Sequence, residues 1–357
     1  MLYGRLVPPT TALGTNMSEK LTGDDLRTFR EARQFGQQEL ATWLNEKLGR
    51  KYDRAKISRW ETGAERPPQL VESVVRDALR RPVRRSAATE AKVIAFANQK
   101  GGVGKTTSAI NTAYLLVNAG YRVLLVDCDP QGSATIHLGV KPDARDLEGK
   151  TLTYLLTRDI PTQETIIPVC EGLFDFIPSS ISLAEAEAVL ASDPLAGLAL
   201  QSKIEEVGDR YDVVILDCPP NLGFVSVSAL AAADGLVIPS QAEMLSVMGI
   251  SSLIKTVERV RRRVKKPCAI LGILPTLYNA RRTVDQEMLR RLESFARQAG
   301  FRLFPPVRDA SDYGKSVVAA RPTLQLTPEA PGADSYADVV ETIIRTFLKL
   351  ETAHGPA

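Results

Sequence analysis

The run with the clearest chemical potential is Asn98-Gln99-Lys100-Gly101-Gly102-Val103-Gly104-Lys105-Thr106-Thr107. Closely spaced glycines let several backbone N–H groups turn inward around an anion. A helical pattern opens at the end of the run, and a helix N-terminus adds a partial positive charge of about half a unit. These residue types suit a triphosphate. The backbone from Lys100 to Thr107 would wrap the oxygens, Lys105 would place a point charge at the β and γ phosphates, and Thr106 would offer a hydroxyl to Mg²⁺. The bland alternative is a glycine-rich turn between a strand and a helix.

Two distant acidic segments bear on that choice. Leu124-Leu125-Val126-Asp127-Cys128-Asp129-Pro130-Gln131-Gly132 is an apolar run ending in two aspartates two apart, then a turn. Tyr211-Asp212-Val213-Val214-Ile215-Leu216-Asp217-Cys218-Pro219-Pro220 is a second apolar run closed by an acid. Either aspartate alone would be read as a cap at a strand end. Taken with the loop, Asp217 is the candidate for holding magnesium through its water shell, since Mg²⁺ keeps several waters.

The elements that must position these groups follow an alternating pattern from Lys92 onward. Short apolar runs (93–97, 122–126, 174–177, 213–216, 236–238, 269–274) alternate with helix-length amphipathic stretches such as 106–119, 244–264 and 284–299. That rhythm predicts an α/β fold, a mostly parallel sheet flanked by helices, and the continuous apolar strands expect cover on both faces.

The loop departs from G-x-x-x-x-G-K-[ST], because Gln99 holds the first glycine position and Lys100 begins the glycine-rich part. In this deviant form it resembles the ParA/MinD branch of P-loop ATPases, over residues 92 to about 350. The resemblance implies that ATP and Mg²⁺ are the ligands and that Lys100 reaches a partner's nucleotide in an ATP-sandwich homodimer. It implies small residues at Gly101 and Gly102, where two backbones approach. Asp129 would organise the attacking water and Asp217 the metal, and Asn279, in Pro275-Thr276-Leu277-Tyr278-Asn279-Ala280-Arg281, would read adenine. It further implies non-specific DNA binding by the dimer, with Arg281 and Arg308 as candidates, and a ParB-like centromere-binding partner. The location implied is cytoplasmic and nucleoid-associated.

The front of the chain differs in kind. Of 357 residues, those from 1 to 90 carry 17 Lys and Arg against 12 Asp and Glu, while the remainder carries 28 against 30. This asymmetry fits nucleic acid at the front or simply a solvated basic surface. Residues 1–20 read as a disordered leader, in which Met17 could be a second start, and 81–91 as a basic linker before the 92–357 ATPase domain. Within 21–80, Phe35 to Ala41 and Ile57 to Gly63 resemble the helix-turn-helix of phage repressors. That likeness implies an all-α DNA-binding domain with Gln37 beside a phosphate, Asp53 capping the recognition helix, and Arg54, Lys56 and Arg59 facing the major groove. Leu40, Ala41, Ile57 and Trp60 would form its core. The segment between the two helices is about six residues longer than in the compact form, and a small helical dimerisation module is the alternative.

Other features narrow the field. No apolar run approaches the roughly 20 residues of a spanning helix, and no long apolar leader is present. Cys128 and Cys218 end apolar runs and read as reduced core thiols. The four cysteines form no C-x-x-C pair, so neither a zinc cluster nor a nitrogenase-type cluster is expected. Arg259, Arg261, Arg262, Arg263, Lys265 and Lys266 crowd one helix end, where the helix dipole alone favours cations. The last amphipathic stretch, 336–350, lacks a cationic face and should pack on the sheet rather than on a membrane. The reading is a DNA-partition ATPase. Its rivals are a nucleotide-sensing transcription regulator and an ATPase that positions a protein cargo.

Overall fold

The computed structural model describes residues 21–32, 35–68, 70–72, 74–75, 90–158, 160–192, 196–243, 246–264 and 268–348. The leader, most of the linker, and Lys265 and Lys266 lie outside the described residues. The chain divides into two compact units, Met1–Pro82 and Val83–Ala357.

In the second unit seven strands form one sheet: β1 (Lys92–Phe96), β2 (Val123–Asp127), β3 (Ile167–Val169), β4 (Phe174–Ile177), β5 (Val213–Asp217), β6 (Gly235–Gln241) and β7 (Ala269–Thr276). Their order is β3-β4-β2-β5-β1-β6-β7. All pairings are parallel except β3 with β4. The expected α/β architecture is present. The short antiparallel edge strand β3 was not foreseen, because three residues that include Pro168 give no periodic signal; proline is tolerated at a sheet edge.

The period of two along each strand divides its side chains between two cores. Val93, Ala95, Leu124, Val126, Val214 and Leu216 face one side, packed against helices that include Phe224–Ala232 and Ser246–Val264. Ile94, Phe96, Leu125, Phe176, Val213 and Ile215 face the other, with helices Lys105–Asn118 and Ala333–Phe347. The C-terminal helix thus joins the sheet's cover through Tyr336, Val339, Val340 and Ile343. It spans 333–347 rather than 336–350, and Leu350 lies outside the described residues. Among the described residues no helix is long and apolar enough to cross a membrane.

The front unit packs α1 (Gly23–Ala32), α2 (Gln37–Leu48) and α3 (Arg54–Glu61) around Leu26, Phe29, Leu40, Ala41, Leu44, Ile57 and Trp60. The extra residues between the helices lengthen α2 and then turn. Gly49 ends α2 in the left-handed conformation. The Asn45 amide clamps the loop by donating to the Tyr52 carbonyl (2.8 Å) and accepting from its N–H (2.6 Å). Glu61, 4% exposed, ties the three helices together. It accepts from Arg30 Nε (2.6 Å) on α1 and from Gln37 Nε2 (2.9 Å) on α2.

Candidate active site

Register brings the acids to the loop. β1, β5 and β2 are neighbours, with Phe96 opposite Asp217 and Asp217 opposite Asp127, so three strands end level at their carboxyl edge. In open α/β sheets this edge is where ligands bind. The loop 98–104 leaves β1 there and enters the helix Lys105–Asn118. Gly102 (φ 71°) and Gly104 (φ 76°) occupy the left-handed region, which a side chain would strain.

The loop is held from beneath by groups the sequence did not single out. The Asn98 amide donates to the Pro239 carbonyl (2.6 Å), and its oxygen accepts from Lys100 N (3.2 Å). Thr276, at the end of β7, donates its hydroxyl to the Val103 carbonyl (2.8 Å). On the outer side, Gln99 Nε2 donates to Ser252 Oγ (2.9 Å), and the Lys100 ammonium is ion-paired with Glu243. Lys100 is therefore at the surface of the loop, half-exposed and held by an acid of its own chain.

Lys105 is buried, and its ammonium donates to the Lys100 carbonyl (3.0 Å). Burial lowers its pKa, while Asp217, Asp129 and Cys218 act in the opposite sense. Asp217 is fully buried, and no donor meets its carboxylate oxygens in good hydrogen-bond geometry, the Thr106 hydroxyl being the near one. Its pKa is raised well above the ordinary value, first by burial and then by Asp127, with the nearby Thr106 hydroxyl and Lys105 pulling it down. A buried carboxylate so poorly paired is costly. A hydrated divalent cation would supply both charge and donors, so Asp217 and Thr106 fit an Mg²⁺ site on the chemistry of what stands there.

Asp127 is different. Its oxygens accept from Asp129 N (3.0 Å), Thr135 N (2.9 Å) and Thr135 Oγ1 (2.7 Å). Burial nonetheless pushes its pKa up to about 6, with those hydrogen bonds opposing. It is the fastener of the loop that carries Asp129. The Asp129 carboxylate, 8% exposed, accepts from Gln131 N (2.9 Å).

Beyond Asp217 the chain runs through Pro219-Pro220-Asn221 to the helix Phe224–Ala232. Glu187, from the helix Ser182–Leu190, caps that helix by accepting from Val225 N (3.0 Å). A β-carbon on Gly223 would sit 2.3 Å from the Glu187 carboxylate, so any larger residue there must push that side chain out of its capping position.

Asn279 makes a local turn, its side-chain oxygen accepting from Arg281 N (3.0 Å), while its own N–H is held by Asp285 (2.8 Å). Arg281 and Arg308 are both exposed, and backbone bridging of Tyr278 to Arg308 brings their segments side by side. Arg259, Arg261, Arg262 and Arg263 are exposed on the last turns of Ser246–Val264. Cys128, Cys218 and Cys268 are buried and form no disulfide.

In the front unit Asp53 caps α3, accepting from Lys56 N (2.8 Å). Arg54 and Arg59 are exposed. Gln37 opens α2 as expected, but its amide turns inward to Glu61. Lys56 is half-buried and paired with Glu65 (2.5 Å).

A glycine-rich loop at the carboxyl edge of a parallel sheet, opening a helix and facing a buried acid, defines the P-loop nucleotide-binding class. Comparison with known proteins agrees. The AAA domain family profile matches residues 91–270. The chromosome-partitioning ATPase Soj of Thermus thermophilus is 38% identical over 255 residues, 70% of this chain and 94% of that protein. The chromosome partitioning protein ParA of Myxococcus xanthus is 32% identical over 276 residues, covering 76% and 93%. Among solved structures, cobyrinic acid a,c-diamide synthase from Mycobacterium smegmatis with bound ADP and magnesium superposes with a TM-score of 0.61 at 31% identity, covering 71% of this chain and 94% of that one. The chain belongs to the ParA/Soj family of partition ATPases.

Proposed function

We propose that this protein is an ATP-driven DNA-segregation ATPase. ATP and Mg²⁺ bind the loop 100–107, two chains close on the nucleotide, and the dimer binds DNA without sequence preference. Slow hydrolysis, stimulated by a ParB-like centromere-binding partner, releases it. The observation that carries the reading is the buried, under-satisfied carboxylate of Asp217 beside Thr106 and Lys105.

Bound Mg²⁺ would neutralise charge on the β and γ phosphates. The chain's own contributions are positioning and fixed charge. Gly101 to Thr107 present backbone N–H groups, and Lys105 exchanges the Lys100 carbonyl for phosphate oxygen. Asp129, on a loop fastened by Asp127, orients the attacking water. Lys100 leaves Glu243 to reach the partner's nucleotide, and Asn279 contacts adenine. Arg281 and Arg308 meet DNA phosphates.

The front unit supports an added role in operator binding, since α3 is capped at its N-terminus and exposes Arg54 and Arg59. This also keeps a second reading in view, a regulator whose ATPase reports nucleotide status. ATP hydrolysis is to be measured alone, with random DNA, and with DNA plus the product of the adjacent gene. Joint stimulation by the last two is expected of a partition ATPase. A chain lacking residues 1–90 should retain ATP-dependent binding to random DNA; loss of all DNA binding would favour the regulator.

A further inference from the structure

Glu65 sits just beyond α3, its N–H bonded to the Arg59 carbonyl (3.1 Å), so backbone geometry fixes its place. Its carboxylate takes both cations of one flank of the helix: Lys56 Nζ at 2.5 Å and Arg59 Nε at 3.4 Å. The Lys56 ammonium also lies 6.0 Å from the Trp60 ring centre, so its stem is laid along the helix rather than extended from it. Lys56 and Arg59 are three apart and therefore share a face.

At 3.6 residues per turn, Ile57, Trp60 and Glu61 point into the unit. Ala55 and Thr62 then lie near the middle of the outward face beside Arg59, with Arg54 and Ser58 on one flank and Lys56 on the other. Apart from Arg59, whose guanidinium is drawn towards Glu65, the centre of this face is small and uncharged, which permits close approach to base edges. Phosphate attraction comes from cations, and here two of them share one acid of the same unit, which cancels one of their two charges.

We propose that Glu65 is a specificity-determining residue of the front unit: it withholds Lys56 and Arg59 from DNA phosphates, so that binding depends on base contacts from Arg54, Ala55 and Ser58. This rests on the reading that the front unit binds DNA. The lowered pKa of Glu65, caused first by Lys56, agrees with the ion pairing.

The test uses the full chain without nucleotide and labelled random-sequence duplex DNA, titrated with salt. Each phosphate contact adds about 0.9 to the slope of log K against log salt. E65Q should steepen that slope by one to two contacts and tighten low-salt binding about tenfold. Adding K56Q and R59Q to E65Q should restore the wild-type slope. E31Q changes net charge equally on exposed α1 and should leave the slope unchanged. Equal slopes for wild type and E65Q, with binding intact, would overturn the role of Glu65 alone. An equal shift in E31Q would reduce it to net charge. Absence of binding in wild type and E65Q at the lowest salt would overturn the DNA-binding reading beneath it.

Discussion

Asp127 and Asp217 are register partners at the ends of β2 and β5, yet one carboxylate is saturated with hydrogen bonds while the other has only the Thr106 hydroxyl and the Lys105 ammonium nearby. The difference assigns them separate work. Asp127→Asn places an amide against the Thr135 donors and should destabilise the second unit by about 3 kcal/mol. Asp217→Asn removes a buried carboxyl whose ionised form burial disfavours, so thermal unfolding without ligand should move upward while Mg²⁺-dependent hydrolysis falls at least about 100-fold. Calorimetry and phosphate release check both. A Tm for Asp217→Asn below wild type would contradict the reading of an uncompensated carboxylate.

Asp129→Ala should leave ATP binding within a factor of about two and lower turnover by about 10²–10³-fold, as expected for loss of one transition-state group. The dimer should then persist on ATP. Fluorescent-nucleotide titration with single-turnover kinetics separates the two quantities. Normal turnover would remove Asp129 from the water-positioning role.

Lys100 must exchange Glu243 for a partner's nucleotide if the dimer forms as proposed. An exposed ion pair contributes about 0.2–1 kcal/mol. Glu243→Gln should therefore tighten ATP-dependent dimerisation by no more than about fivefold, read by sedimentation equilibrium. Weaker dimerisation in this variant would mean that Glu243 assists the closed state instead.

Glu61→Ala leaves the Arg30 guanidinium without its buried partner and should cost the front unit about 3–5 kcal/mol. Hydrogen exchange across 21–75 should rise while exchange in the sheet stays unchanged, since the units have separate cores.

His137 gives a pH signature. Burial lowers its pKa below the ordinary 6.5, with the Arg321 carbonyl acting in the opposite sense. The unfolded chain therefore binds more protons than the folded one once pH drops below 6.5, and stability falls as pH decreases from there. His137→Gln should flatten the Tm profile between pH 7 and about 5.5 relative to wild type. Parallel profiles would rule the contribution out.

The loop and both acids were legible because each stands at a boundary that sequence marks well: an apolar run ending in Asp, or a glycine cluster opening a helix. Strand alternation gave the sheet for the same reason. The supporting contacts were not legible. Thr276 and Glu243 reach the loop from a strand end and a bend far along the chain, Asn98 within the loop ties it to the distant Pro239, and an isolated Thr, Asn or Glu has no periodicity. Lys56 and Gln37 illustrate a related blind spot. Their positions on α2 and α3 followed from the helix-turn-helix likeness, but the direction of each side chain depends on Glu65 and Glu61, acids that composition treats as surface charge. Short helices such as Ser311–Val318, which packs beside His137 through Ser316, were also missed, because eight residues barely exceed two turns.

Glu187 and Gly223 form a lock in which one residue's missing side chain is the other's seat. A substitution that fills position 223 evicts the carboxylate and uncaps the helix behind Asp217, whereas shortening Glu187 frees the space and removes the cap. In any set of relatives these two sites should therefore drift jointly, a larger residue at 223 travelling with a smaller or uncharged one at 187. That makes the pair a place to look for inherited compensation around the metal acid, at a distance from the residues that touch nucleotide.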